Sequence, residues 1–128
     1  MILIDTSVLI DYVRSKDANL LLKMQNHSGA VCGVVRSELL AGTKNPRDRA
    51  RLVMLLDSFQ AIATPETVWD SVGDHAATLR VQGVNVPLPD VVIATLALAA
   101  SVELWTRDKH FVRIQQVLPS LRLFVEPP

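Results

Sequence analysis

Apolar residues follow two patterns along this chain: short continuous runs, and longer stretches with helical spacing. The run at residues 1–4 (MILI) is the kind found in a strand that is buried on both faces of a sheet. Because such runs alternate with helical stretches, we predict an α/β fold: a three-layer α/β/α sandwich around a mostly parallel sheet of four to five strands. The other predicted strands are 30–32, 61–63, 102–105 and 121–125.

The helical stretches are bounded by residues that favour helix ends, such as Asn45-Pro46 before one helix and Gly42 after another. The stretch at 91–100 (VVIATLALAA) is apolar on all sides, which predicts a buried helix, and it is too short to span a bilayer. The predicted helices are about 6–14 (capped by Thr6 or Ser7), 18–26, 34–41, one that begins at Pro46, one that begins within 64–66, and 90–100.

Composition predicts a single globular domain over residues 1–128. The chain is 49% hydrophobic and 20% charged, which is typical of a folded protein. Its 13 basic and 13 acidic residues give no net charge, so net charge predicts no partner. The single cysteine, Cys32, lies in an apolar run and predicts a small core residue. With no disulfide framework and no signal peptide, we expect a cytoplasmic protein.

Four acidic residues lie where a short apolar segment gives way to a turn or a helix. They are Asp5, Glu38, Asp90 and Asp108. The carboxyl ends of parallel strands meet at one edge of a sheet, where ligands bind in α/β folds. Carboxylates gathered there repel each other unless a cation lies between them, and Mg²⁺ and Mn²⁺ prefer oxygen ligands. We therefore predict an acidic pocket that holds one or two ions of Mg²⁺ or Mn²⁺.

Each acid also has an ordinary structural interpretation. Asp5 and Asp90 could simply cap helices, Glu38 could be an exposed helical charge, and Asp108 could be a solvated turn residue. The placement of all four at one predicted edge favours a shared site. The remaining acids fall within helices, at exposed helix starts or in tails, which indicates surface charge.

Four segments of the chain resemble the PIN-domain family, in particular the VapC-type toxins of bacterial toxin–antitoxin pairs. They are LIDTSVLIDYV, RSELLAG, LPDVVIATLALAA and LWTRDKHF, and together they span essentially the whole chain. The more specific pieces are the D-T-S after the first strand and the late T-x-D-x-x-F. The resemblance places the acidic quartet of the family on Asp5, Glu38, Asp90 and Asp108.

The resemblance implies a Mg²⁺- or Mn²⁺-dependent endoribonuclease, the toxin of a toxin–antitoxin pair. Ser7 and Thr106 match the small polar and hydroxyl residues that accompany these acids in the family, and both would fix a carboxylate of the site. Thr106 could equally be a plain strand-end residue. A small antitoxin would cover the acidic groove, and the toxin would be a homodimer. That dimer could use the amphipathic helix of Leu55 or that of Trp69.

A rim of cations near the acidic edge would bind the RNA backbone, because the pocket itself is negative. A basic helix start can also be a plain solvated face, and His110 could either contact RNA or be an exposed turn residue. The predicted RNA-binding residues are Arg36, Arg47, Arg49, Arg51, Arg107 and Lys109.

Other enzyme classes fit the sequence less well. A haloacid-dehalogenase-like phosphatase needs a second aspartate two residues after the first, where this chain has Ser7. A P-loop nucleotidase needs a G-x-x-x-x-G-K-[ST] motif, which the sequence lacks. Two alternatives stay open: a structure-specific DNA nuclease, and a non-catalytic module that binds the basic segment of a partner.

Overall fold

The computed structural model describes residues 1–127, and its centre is an all-parallel sheet of four strands in the order β3-β2-β1-β4. All three residues of β1 are buried, so helices cover the sheet on both faces. The predicted α/β/α sandwich with a parallel sheet is therefore confirmed. The strands are β1 (Ile2–Ile4), β2 (Gly29–Cys32), β3 (Gln60–Ile62) and β4 (Glu103–Trp105).

Seven helices connect and follow these strands within residues 1–127. Two helices lie in each connection between consecutive strands, which matches the predicted order of elements. The helix bounds are α1 (Thr6–Ser15), α2 (Ala18–Asn26), α3 (Gly33–Ala41), α4 (Pro46–Asp57), α5 (Val68–Val81), α6 (Leu88–Ala100) and α7 (His110–Val117).

The strand order reverses direction at β1. Strands β2 and β3 lie on one side of β1, in chain order, whereas β4 pairs with the opposite side of β1. The connections that leave β1 and β4 therefore diverge at their carboxyl ends. In open α/β sheets, such a point of reversal is where ligands bind.

The core fills the space between the sheet and its helices. Its larger fully buried side chains include Trp105 on β4 and Phe111 on α7, and Cys32 is buried as predicted. The side chains of α6 from Asp90 to Ala97 are all buried, which agrees with the predicted buried helix. None of the helices in the described residues is long and apolar enough to cross a membrane.

Four features of the elements differ from the sequence predictions. The predicted strand at 121–125 is wrong, because only an isolated bridge joins Leu123 to Leu104. Helix α7 lies where the sequence predicts no element, although its buried positions Phe111 and Ile114 have helical spacing. Helix α5 begins later than predicted, because the segment around Pro65 forms a turn first. The structure also caps α1 with Asp5, and not with Thr6 or Ser7.

Candidate active site

Asp5 follows β1 directly, beside the carboxyl end of β4. Its backbone N–H donates to the carbonyl oxygen of Trp105 at 2.9 Å, which extends the β1–β4 pairing by one step. The side chain is almost fully buried, and the residue is 3% exposed. Its Oδ2 accepts hydrogen bonds from Ser7 Oγ at 2.7 Å and from Thr106 Oγ1 at 2.8 Å. This carboxylate is therefore held in one orientation at the carboxyl end of β1.

The two hydroxyl residues predicted to accompany the acids also fix the segment after β4. The backbone N–H of Asp108 donates to Thr106 Oγ1 at 3.0 Å, and that of Arg107 donates to Ser7 Oγ at 2.9 Å. The start of α1 and the segment that carries Asp108 are thus joined by short hydrogen bonds. Movement of that segment would require breaking several of them, each with a net contribution of about 1 kcal/mol.

Asp90 and Asp108 meet beside a histidine that opens α7. Asp90 lies in the first turn of α6 and is 8% exposed. His110 Nδ1 lies 2.8 Å from Asp90 Oδ2 and 3.5 Å from Asp108 Oδ1, and the backbone N–H of His110 donates to Asp108 Oδ1 at 2.9 Å. One donor atom from each of these three residues lies within 4.8 Å of the others.

The negative charge of this cluster is not balanced by positive charge within it. Burial raises the pKa of Asp90, the hydrogen bond from His110 partly offsets this, and the negative charges of Asp108 and Asp5 raise it further. Three carboxylates are therefore close enough to repel each other. A donor set of carboxylate oxygens and one imidazole, with unbalanced negative charge, fits a divalent cation.

Glu38 reaches the same edge from α3. It is exposed, and its Oε1 accepts a hydrogen bond from Thr6 Oγ1 at 2.9 Å. Thr6 directly follows Asp5, so α1 and α3 bring Glu38 into contact with the sequence neighbour of the buried carboxylate. The structure thus gathers Asp5, Asp90 and Asp108 into one cluster and places Glu38 at its margin. Their roles as metal ligands stay predictions.

Sequence reasoning missed two residues of this site. Thr6 was considered only as a helix cap, although its hydroxyl binds Glu38. His110 was described as a contact to RNA or an exposed turn residue, although its ring contacts both Asp90 and Asp108. His110 is two residues from Asp108 in the sequence, but nothing in the sequence pattern relates it to Asp90.

The predicted RNA-binding cations fall into two groups. Arg36 pairs with Asp57 at 2.9 Å, and Arg107 pairs with both Asp11 and Glu126 at 2.9 Å. These two guanidinium groups already neutralise carboxylates of the protein. The other four are exposed and make no ion pair within residues 1–127. They are Arg47, Arg49, Arg51 and Lys109.

Comparison with known proteins identifies the family of this chain. Residues 2–117 match the PIN domain family, and the chain belongs to that family. Ribonuclease VapC32 of Mycobacterium tuberculosis is 32% identical over 112 residues, which cover 86% of each chain. Ribonuclease VapC1 of Methanocaldococcus jannaschii is 25% identical over 117 residues, covering 90% of this chain and 82% of that protein.

A solved structure supports the same fold. The crystal structure of VapBC2 from Rickettsia felis, bound to a DNA fragment from their promoter, contains a chain that superposes with a TM-score of 0.83. The sequence identity is 20%, and the match covers 97% of this chain and 98% of that one. The predicted PIN-like fold is therefore confirmed on both sequence and structure.

Proposed function

We propose that this chain is a metal-dependent endoribonuclease and the toxin of a toxin–antitoxin pair, acting in the cytoplasm. The observation that carries the proposal is the cluster of Asp5, Asp90 and Asp108 at the carboxyl end of β1. Two relatives named as ribonucleases match most of the chain, which supports RNA as the substrate. The reaction is hydrolysis of a phosphodiester bond.

Asp5, Asp90 and Asp108 would hold one or two ions of Mg²⁺ or Mn²⁺. Glu38 is either a further ligand or a residue that orients a water molecule at the exposed margin of the site. When bound, such an ion supplies Lewis-acid stabilisation of the charge that develops on the phosphate, and it acidifies the attacking water.

The remaining work of the site is positioning. Ser7 and Thr106 donate to Asp5 Oδ2, so both of their protons hold that carboxylate in place. The backbone N–H groups of Asp108 and His110 fix the segment that carries Asp108. Because these groups are already ordered before substrate binds, little reorganisation is needed during the reaction.

Specificity for RNA over DNA can be tested directly with purified protein. We expect cleavage of single-stranded RNA in the presence of Mg²⁺ or Mn²⁺, and its loss on chelation with EDTA. Flap DNA of matched sequence should be cut far more slowly. Preferential cleavage of the flap DNA would favour a structure-specific DNA nuclease, and binding of RNA without any cleavage would favour a non-catalytic module.

Replacement of Thr106 by valine tests the positioning of Asp5. Valine keeps the shape of threonine but removes the hydrogen bond to Asp5 Oδ2 and the acceptor for the Asp108 N–H. Loss of a group that orients a metal-binding carboxylate typically costs about 10- to 100-fold in activity or metal affinity. We expect a decrease of that size in RNA cleavage, measured together with the Mn²⁺ dissociation constant.

The matched control is Thr78→Val on α5, where the hydroxyl donates only to the carbonyl oxygen of Asp74. This variant should keep the cleavage rate and the metal affinity of the wild type. Equal behaviour of the two variants would contradict a positioning role for Thr106.

RNA binding by the exposed arginines of α4 is a separate prediction. Arg47 and Arg51 are four positions apart, so they lie on one face of the helix. Replacing both with alanine should weaken RNA binding. It should also make the slope of the logarithm of the binding constant against the logarithm of salt concentration shallower, by about 0.7 for each lost phosphate contact. Cleavage at saturating RNA should change much less, because these residues bind ground state and transition state alike.

The control for this pair is Arg14→Ala with Lys23→Ala, which removes the same charge from α1 and α2. Binding should be measured by titration at several salt concentrations for both double variants. If the α4 pair weakens binding no more than the control pair, the basic rim is wrong and the nuclease assignment is unaffected.

We also propose a small antitoxin as partner and a homodimer as the assembly. A basic side chain of the antitoxin would neutralise the acidic cluster in place of a metal ion. The chain that superposes with a TM-score of 0.83 comes from a complex named VapBC2, which supports a partner of this kind. Trp69 on α5 is 47% exposed and Leu55 on α4 is half-buried, so both helices offer apolar surface for a dimer.

A further inference from the structure

His110 is the one nitrogen donor among the clustered groups that could hold a metal within the described residues. We propose that His110 is a ligand of the metal ion, and that the site therefore prefers Mn²⁺ over Mg²⁺. The inference rests on the metal site of the proposed function and adds the kind of ion it selects. The acidic quartet by itself does not distinguish the two ions, because both bind carboxylate oxygens.

The backbone around His110 holds its ring in the cluster. His110 is the first residue of α7, and its N–H donates to Asp108 Oδ1 at 2.9 Å. The next residue, Phe111, is fully buried, and Ile114 one turn later is fully buried as well. These anchors fix the start of α7 against the core. The ring is therefore carried on the same short, ordered segment as Asp108.

The ring nitrogen that faces the carboxylates is Nδ1. It lies 2.8 Å from Asp90 Oδ2, on helix α6, and 3.5 Å from Asp108 Oδ1, in the loop after β4. The His110 side chain is 39% exposed and that of Asp108 37%. An ion could therefore reach these donors from solvent without any opening of the core.

Ligand chemistry sets the expected preference. Both ions prefer oxygen ligands, but Mn²⁺ is a first-row transition ion and accepts an imidazole nitrogen more readily than Mg²⁺, which retains water instead. An imidazole added to the carboxylates of this site should thus raise the affinity for Mn²⁺ and change the affinity for Mg²⁺ little. If the ring only donated a hydrogen bond to Asp90, removal of the ring and its donor would lower the affinity for both ions to the same extent.

Calorimetric titration of Mn²⁺ and of Mg²⁺ separates these two roles. For His110→Asn we expect the Mn²⁺ affinity to fall on the order of 10-fold or more, with a much smaller change for Mg²⁺. Asparagine retains an N–H donor for Asp90, so a purely hydrogen-bonding role would be largely preserved. The control is His27→Asn at the end of α2, which should keep the wild-type affinities for both ions.

A second measurement needs no variant. Pulsed electron paramagnetic resonance of Mn²⁺ bound to the wild-type protein should show coupling to a ¹⁴N nucleus, which changes to a ¹⁵N coupling when histidine is ¹⁵N-labelled. The coupling should persist in His27→Asn and disappear in His110→Asn. Circular dichroism should first establish that each variant is folded.

The possible failures are distinguishable. Suppose that Mn²⁺ binds to the wild type without nitrogen coupling and that Asp90→Asn abolishes this binding. That result would overturn the role of His110 and leave the acidic metal site intact. An equal loss of Mn²⁺ and Mg²⁺ affinity in His110→Asn, or no loss of either affinity, would overturn it as well. Absence of any divalent binding to the wild type would overturn both this inference and the metal dependence of the proposed function.

Discussion

Replacing Asp5 with asparagine is expected to reduce RNA cleavage at saturating RNA by more than about 100-fold, above the range typical of residues that only orient a ligand. The amide oxygen can still accept from Ser7 and Thr106, so the network around the site should be kept. What is lost is the negative charge that would bind the metal. Single-turnover kinetics with Mg²⁺ and with Mn²⁺ measure the effect.

The control is Asp74→Asn, which removes one exposed carboxylate from α5 and should leave cleavage unchanged. RNA binding should be retained by Asp5→Asn, or become tighter because a negative charge is removed near the phosphates. If Asp5→Asn cleaves RNA at the wild-type rate, Asp5 is not part of the metal site.

Asp90→Asn should show the same loss of cleavage, and it should stabilise the metal-free protein at neutral pH. Burial and the charges of Asp108 and Asp5 raise the pKa of Asp90 in the folded state. A carboxyl whose pKa is higher folded than unfolded lowers stability above its folded pKa, and this penalty fades as pH falls towards the unfolded value of about 4. The gain in free energy of unfolding should therefore be present at pH 7 and disappear in acid.

The second large effect is a rise in melting temperature with Mg²⁺ or Mn²⁺. The folded chain gathers the carboxylates, whereas the unfolded chain disperses them, so the ion binds the folded state preferentially. At 100 times its dissociation constant, an ion adds about 2.7 kcal/mol to stability. In a domain of this length that corresponds to a shift of roughly 10 °C, which differential scanning calorimetry can follow as a function of ion concentration.

Conversion of Asp5, Glu38, Asp90 and Asp108 to their amides should abolish this shift. A matched variant that changes exposed acids of α5, Asp70 and Asp74, to asparagine should keep it. A shift of the wild-type size in the quadruple variant would mean that the ion binds elsewhere on the chain.

The position of the acidic cluster was predictable because it follows from topology. Asp5 and Asp108 lie just after β1 and β4, and parallel strands bring their carboxyl ends to one edge. Asp90 reaches that edge because α6 begins there. These inferences need only the alternation of strands and helices, which the apolar pattern of the sequence shows clearly.

Other features depend on contacts that no local pattern encodes. The ring of His110 reaches Asp90, 20 positions away, across the start of α7. Arg107 was expected to bind RNA, yet it contacts Asp11, 96 positions away. The segment 121–125 is as apolar as a strand, but it makes only two backbone hydrogen bonds with Leu104 and so remains an isolated bridge.

The pairing of β1 with β4 also has a consequence during protein synthesis. Asp5 and its partner Thr106 are 101 positions apart, and at about 5–20 residues per second the ribosome needs roughly 5–20 s to make the intervening chain. For that time β1 has no β4 beside it, and Asp5 lacks both Thr106 and Asp108. A nascent chain thus carries only part of the acidic site. An enzyme built in this order is expected to be unable to cut the messenger RNA that encodes it until nearly the whole PIN domain has left the ribosome.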